Sequence, residues 1–242
     1  MKLTDFLVSY AKEKDYEVKN VTIGLNWTCV LSKNCGIALT YKLPLIGEVP
    51  NGGNLESFTT GQLAELLYSW NLLEASVGLA SINSTIDPSW NFKGNGLEFV
   101  LEIAKGKRVV MIGKFPGIEE FKKICSSFIV LELNPYLINP YENILPSTAS
   151  ESVIENSDIL IVTSSTIINK SIDRLLELAK KAYKILVGPS TPMSKELLEY
   201  VDALAGIKIN NPHGMIKKIS QGFGMVTPKK LNGDADFIIL SK

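Results

Sequence analysis

Four short apolar runs do most to restrict what this chain can fold into. They occupy residues 109–112 (Val-Val-Met-Ile), 128–131 (Phe-Ile-Val-Leu), 159–162 (Ile-Leu-Ile-Val) and 185–187 (Ile-Leu-Val). None contains a polar residue, so none reads as a half-exposed strand, whose two faces would alternate. Each is too short for a helix, and helical patterns lie between them, around residues 118–125, 148–155 and 172–181. Apolar strands alternating with helices predict a doubly wound, mostly parallel sheet covered on both faces. Ligands of such sheets sit beyond the carboxyl ends of the strands.

Three of those ends carry unusual chemistry. The first is Gly113-Lys114-Phe115-Pro116-Gly117, and the second is Thr163-Ser164-Ser165-Thr166 with Asn169 shortly after. The third, Gly188-Pro189-Ser190-Thr191-Pro192, reads as a strand end, a tight turn and a helix over 192–200 with Thr191 as N-cap and Pro192 at its first position. Such a helix start offers free N–H groups and a positive dipole end to an anion, though a capped turn without a ligand fits the same residues. The coincidence of the three ends predicts a site.

Glu132 ends the second run, nineteen residues after Gly113, a spacing similar to the acidic ribose contact of dinucleotide-binding proteins. The glycines do not follow that pattern, because Gly113 and Gly117 enclose Pro116 and no G-x-G-x-x-G or P-loop is present. A nucleotide or S-adenosylmethionine is therefore the lesser reading, and a strand-end glutamate also commonly bonds a neighbouring loop. The hydroxyls at 163–166 would need a base for nucleophilic work. His213, in the turn-like Asn-Asn-Pro-His-Gly, is the one imidazole in the chain, and no nucleophile elbow accompanies it.

The first part of the chain reads differently. Leu3, Phe6, Leu7 and Tyr10 form the stripe of an amphipathic helix, and residues 18–23 read as a strand. Residues 27–31 and 36–41 read as a hairpin with Trp27, Cys29 and Leu31 on one face. A turn at Lys33-Asn34 would set Cys29 opposite Ala38, so no bond to Cys35 is expected. A long loop over 42–58 carries Pro44, Gly47, Pro50, Gly52 and Gly53. Thr59-x-x-Gln62 is a capping box, followed by Leu63, Leu66, Leu67 and Trp70 as a buried stripe. A second helix over 72–86 has a run of small residues, Val77-Gly78-Leu79-Ala80-Ser81, that permits close backbone approach. Asn83 near its end either satisfies backbone, the favoured reading, or faces a ligand. These features predict an α+β domain over 1–89 and an α/β domain over 90–242.

The 242 residues carry zero formal net charge, which argues against nucleic acid or an anionic membrane as the partner. No apolar run reaches membrane-spanning length, and Met1-Lys2-Leu3-Thr4-Asp5 lacks the apolar core of a signal peptide, so a soluble cytoplasmic protein is expected. Three cysteines make neither a disulfide framework nor a zinc knuckle. No metal ligand set is predicted: a metal would need oxygen ligands or would arrive held by a small molecule.

Several segments together resemble the putative heavy-metal chelation family, long catalogued as a domain of unknown function. They are residues 24–28 (Gly-Leu-Asn-Trp-Thr), 76–83 (Ser-Val-Gly-Leu-Ala-Ser-Ile-Asn), 112–116, 158–166 with Asn169, 188–192 and Ala205-Gly206. The resemblance covers roughly residues 15–225 and implies an enolase-amino-terminal-like domain followed by a Rossmann-like domain. It also implies a site in the cleft between them and a role in binding a heavy metal or a metal-bearing small molecule.

The combined expectation is a binder of a small polar or anionic ligand, with no fixed oligomeric state. Its contacts are Asn83 and Glu132, with Gly113, Phe115 and Pro116 from the first strand end. Thr163, Ser164, Ser165, Thr166 and Asn169 come from the second, and Gly188, Pro189, Ser190 and Thr191 from the third. Asn83 is expected to point toward Phe115, Ser165 and Ser190. The alternatives are an enzyme with Glu132 or His213 transferring protons, and a structural or partner-binding module.

Overall fold

A computed structural model describes residues 1–41 and 48–242. Pro44 and Gly47 of the expected long loop lie outside the described residues.

The amino-terminal lobe begins with α1 (Leu3–Lys14), which turns Leu3, Leu7, Val8 and Ala11 inward. An antiparallel sheet follows, in the order β1 (Asn20–Ile23), β2 (Trp27–Leu31) and β3 (Cys35–Leu39). The capping box at Thr59 and Gln62 is formed and opens α2 (Thr60–Ala64). The helix tightens into a 3-10 turn over Glu65–Tyr68 and stops, so Trp70 is 79% exposed rather than part of a buried stripe. The central element is α3 (Leu72–Thr85), capped by Asn71 and buried along most of its length. Its small residues let backbones touch. A Cβ on Gly78 would lie 2.3 Å from the Leu67 nitrogen, and one on Gly36 of β3 would lie 2.2 Å from the Ser84 nitrogen.

The hairpin register differs from expectation by one residue. A three-residue loop, Ser32 to Asn34, pairs Leu31 with Cys35 and Cys29 with Ile37, not with Ala38. A shift of one residue moves a side chain to the other face of a sheet. Cys35 therefore shares a face with Cys29, and their sulfurs stand 3.2 Å apart.

The carboxyl-terminal lobe contains β4 (Phe92–Lys93), α4 (Gly96–Ile103), β5 (Arg108–Ile112), α5 (Ile118–Ile124), β6 (Ser127–Glu132), β7 (Ile144–Pro146) and α6 (Ser150–Val153). It continues through β8 (Ile159–Thr163), α7 (Ser165–Ile168), α8 (Ile172–Leu178), β9 (Tyr183–Val187), β10 (Ala203–Ile209), α9 (Pro212–Ser220), α10 (Pro228–Leu231) and β11 (Ala235–Ser241). Six strands are parallel, in the order β7-β6-β5-β8-β9-β10. Numbered from β5, this is 3-2-1-4-5-6, the doubly wound order whose direction reverses between the first and fourth strands. β11 and β4 add antiparallel strands beyond β10. The tail is thus not an edge strand, because Ile238 and Ile239 pair with Lys93 and Phe92.

Alternation along β5 builds two cores. Val109 and Met111 face α4 and α5, packing with Val100 and Phe121. Val110 and Ile112 belong to a cluster that also contains Leu160, Val162 and Ile167 and runs on into Leu79, Ile82 and Ile86 of the amino-terminal lobe. One continuous apolar core therefore joins the two lobes. A third cluster sets Trp27, Cys29 and Ile37 of the hairpin against Ile207, Met215 and Ile219.

Candidate functional site

The strand-order reversal lies between β5 and β8, and a cavity of about 380 Å³ opens at their carboxyl ends. Its floor is Ile112, Gly113 and Leu131, and one wall is Thr163, Ser165, Thr166 and Asn169. Gly113 leaves β5 with φ of +83°, a conformation that glycine adopts without strain, and a Cβ there would come within 3.1 Å of Thr163 Cγ2. At the end of β8 the chain turns into α7, and the Thr163 and Ser165 hydroxyls meet at 3.1 Å. Thr166 Oγ1 donates to the Thr163 carbonyl at 2.7 Å, the local bonding that draws such hydroxyls to helix starts.

Asn169 connects this wall to the other lobe. Its amide nitrogen donates to Tyr41 Oη at 3.0 Å, while its oxygen accepts from the backbone N–H and hydroxyl of Ser171. Tyr41 itself lines the cavity. Ser147, Thr148 and Arg174 supply more polar surface, but the Arg174 guanidinium is committed to Glu151 at 2.6 Å and Glu177 at 3.1 Å. That guanidinium holds the Glu151 carboxyl below its ordinary range.

Glu132 also lines the cavity, with both oxygens already engaged. One accepts the Lys114 N–H at 2.9 Å; the other accepts those of Leu133 and Asn134 at 2.8 and 3.0 Å. The carboxylate thus ties the β5 and β6 end loops together. His213 is exposed in the first turn of α9 and does not line this cavity.

The third strand end behaves differently from the other two. Thr191 does not cap a helix: its hydroxyl donates to the Ala205 carbonyl at 3.0 Å, residues 191–194 form no helix, and a 3-10 turn follows over Lys195–Glu199. The turn instead clasps the amino-terminal lobe. Ser190 Oγ accepts the Leu39 N–H at 2.9 Å, and Asn83 Nδ2 donates to the Ser190 and Ile37 carbonyls at 3.0 and 2.8 Å. Asn83 is therefore aimed at Ser190, while Phe115 and Ser165 line other cavities. Its Oδ1 is buried without a hydrogen-bond partner among the described residues, beside a hole of about 80 Å³ also lined by Cys35, Thr191 and Met193.

A further cavity of about 360 Å³ collects Phe115, Pro116, Gly188 and Pro189 with Trp27, Gly206 and Phe237, and its lining is mainly apolar. Ser164 and Ser190 are buried and, among the described residues, line neither of the two larger cavities nor the hole beside Asn83. The three strand ends thus divide among separate spaces, and the one at the reversal point carries the Thr163, Ser165 and Thr166 hydroxyls on a largely apolar lining. Sequence reasoning missed Tyr41, Ser147, Thr148 and Arg174. Tyr41 lies two residues beyond β3 and Arg174 lies within α8, so no local pattern marks either as facing this cavity.

Residues 95–234 match the model of the DUF364 family, described as putative heavy-metal chelation, and residues 5–86 match that of DUF4213, with the same description. The chain belongs to the DUF364 family. An uncharacterized protein of Methanocaldococcus jannaschii is 27% identical over 199 residues, covering 78% of this chain and 76% of that protein. Crystal structures of two DUF364 proteins of unknown function share the fold. One, from Desulfitobacterium hafniense, has a TM-score of 0.84 and 24% identity; the other, from Pyrococcus horikoshii, has 0.79 and 22%. Each comparison covers 99% of this chain and 98% of the other. Among the described residues of this DUF364 protein, no helix is long and apolar enough to cross a membrane, and no three His, Cys, Asp or Glu side chains gather as metal ligands.

Proposed function

We propose that this DUF364 protein binds a small polar or anionic organic molecule at the reversal point between β5 and β8, and that any metal enters as part of that molecule. One observation carries the reading: the strand-order reversal coincides with a hydroxyl- and amide-lined cavity that Tyr41 reaches from the other lobe. The Thr163 and Ser165 hydroxyls can each donate and accept, and Ile112, Leu131 and Leu175 offer apolar surface.

The family description raises direct chelation. Hydroxyl and amide oxygens suit hard cations and polar organic groups, whereas soft metals favour thiolate and imidazole. The lining residues therefore do not fit a directly held heavy metal, and no chemistry is routed through one. Binding is preferred over catalysis because Glu132 and Glu151 are both committed to partners and His213 lies elsewhere.

Native mass spectrometry of the purified protein, with elemental analysis of the same sample, tests this reading. The expected result is a retained organic mass that Ser165→Ala weakens. A retained metal ion without an organic mass, unaffected by Ser165→Ala, would overturn it.

A further inference from the structure

The β2–β3 register brings two thiols together at the lobe junction. Cys29 and Cys35 are diagonal neighbours on one face, and their sulfurs are 3.2 Å apart. We infer that Cys29 and Cys35 form a redox-active dithiol that a hydroperoxide converts to a disulfide.

Proximity supports this first. A disulfide is about 2.05 Å long, so the sulfurs have roughly 1 Å to close. The two strands are joined by a three-residue loop, so little chain entropy opposes the encounter. The second support is unequal access. Cys29 is fully buried in the cluster with Trp27 and Ile37, while Cys35 is partly exposed and lines the small cavity beside Asn83. Redox-sensitive pairs combine one accessible sulfur with a nearby resolving one. The hydrogen bond to Cys35, together with burial, pushes the Cys29 thiol well up. Cys29 thus keeps its proton, and Cys35 is the sulfur that meets the oxidant.

The chemistry balances without a metal. Cys35 Sγ attacks the terminal oxygen of the hydroperoxide, the O–O bond breaks, and the other oxygen takes up the proton given up by the Cys35 thiol and leaves as an alcohol, or as water from hydrogen peroxide. Cys35 is now a sulfenic acid. Cys29 Sγ attacks that sulfur and forms the S–S bond, and its proton leaves with the departing hydroxyl as water. Two thiols are oxidised and one hydroperoxide is reduced.

The third cysteine serves as an internal control. Cys125 packs in a different cluster from Cys29 and Cys35, so no thiol stands beside it to close a disulfide, and burial pushes its own thiol up to about 11. The test treats the full-length folded protein with a small excess of hydrogen peroxide, alkylates the remaining thiols and maps the peptides. The expected result is a cross-link between the peptides of Cys29 and Cys35, reversed by dithiothreitol, with Cys125 still alkylated. Cys35→Ser should then retain both of its thiols. Three alkylated cysteines after peroxide, a cross-link to Cys125, or Cys35 advancing to sulfinic acid beside a free Cys29 would each overturn the inference. The wild-type peptide map decides the matter even if Cys35→Ser folds poorly.

Discussion

Asn83 donates its side-chain amide to the carbonyl of Ser190 at 3.0 Å, while the Ser190 hydroxyl takes the N–H of Leu39 at 2.9 Å. Helix α3, strand β3 and the turn after β9 are thereby held at one point. Asn83→Ala would leave the Ile37 and Ser190 carbonyls without this donor. It is expected to cost about 1–3 kcal/mol, and Ser190→Ala nearer 1 kcal/mol, because the serine loses one bond and the asparagine two. Urea denaturation of both variants checks the order; equal stability to wild type would remove the clasp from the account.

Gly36 is predicted to be intolerant of any side chain. A Cβ there would lie 2.2 Å from the Ser84 nitrogen and 2.3 Å from the Ala80 carbonyl oxygen, both in the backbone of α3. Gly36→Ala should destabilise by about 1–3 kcal/mol or more, since neither neighbour is a flexible side chain. A thermal melt gives the answer, and a variant within experimental error of wild type would show that β3 and α3 are less closely packed.

Ser165 offers the cleanest separation of binding from stability. It lines the cavity at the reversal point, and among the described residues its side chain bonds the Thr163 hydroxyl alone. Ser165→Ala should change stability by about 0.5 kcal/mol or less while reducing the retained organic mass. Parallel denaturation and native mass spectrometry measure both; a stability loss with full ligand retention would make the hydroxyl structural.

Lys170 gives a pH signature. Its ammonium donates to the Ile168 carbonyl at 2.8 Å, and burial pushes its pKa down to about 8. The unfolded chain titrates the same amine near about 10.4. Between those values the unfolded state holds more protons, so this group makes stability rise with pH from about 8 to about 10. Lys170→Met should flatten the profile of melting temperature against pH in that window. An unchanged slope would mean that the amine is solvated.

The sheet was legible in the sequence because β5, β6, β8 and β9 each carry a largely buried stretch of three or four residues, 109–112, 128–131, 159–162 and 185–187, without a polar interruption. β4 and β7, of two and three residues, are too short to carry a period and exist through pairing with β11 and β6. The hairpin register turned on whether the loop held two residues or three, which Ser32-Lys33-Asn34 does not decide locally. Thr191 matched a helix cap in composition, yet the Ala205 carbonyl, fourteen residues away, captured its hydroxyl. Asn83 carried two readings, backbone satisfaction and a ligand contact; its amide nitrogen bonds the Ile37 and Ser190 carbonyls, which lie far away in sequence. Glu132 was found by spacing, but its three N–H donors depend on two loops meeting in space.

The apolar cluster that unites Leu79 and Ile82 with Val110 and Leu160 bears on how a ligand would arrive. A clamshell that opens by rotating its halves would have to expose this cluster to water and break the Asn83–Ser190 contact. Such a motion approaches partial unfolding in cost, so the pocket between β5 and β8 stands largely assembled before anything enters it. A ligand bound there would forgo the entropic cost of ordering two halves, and its recognition would rest on fit to a fixed shape.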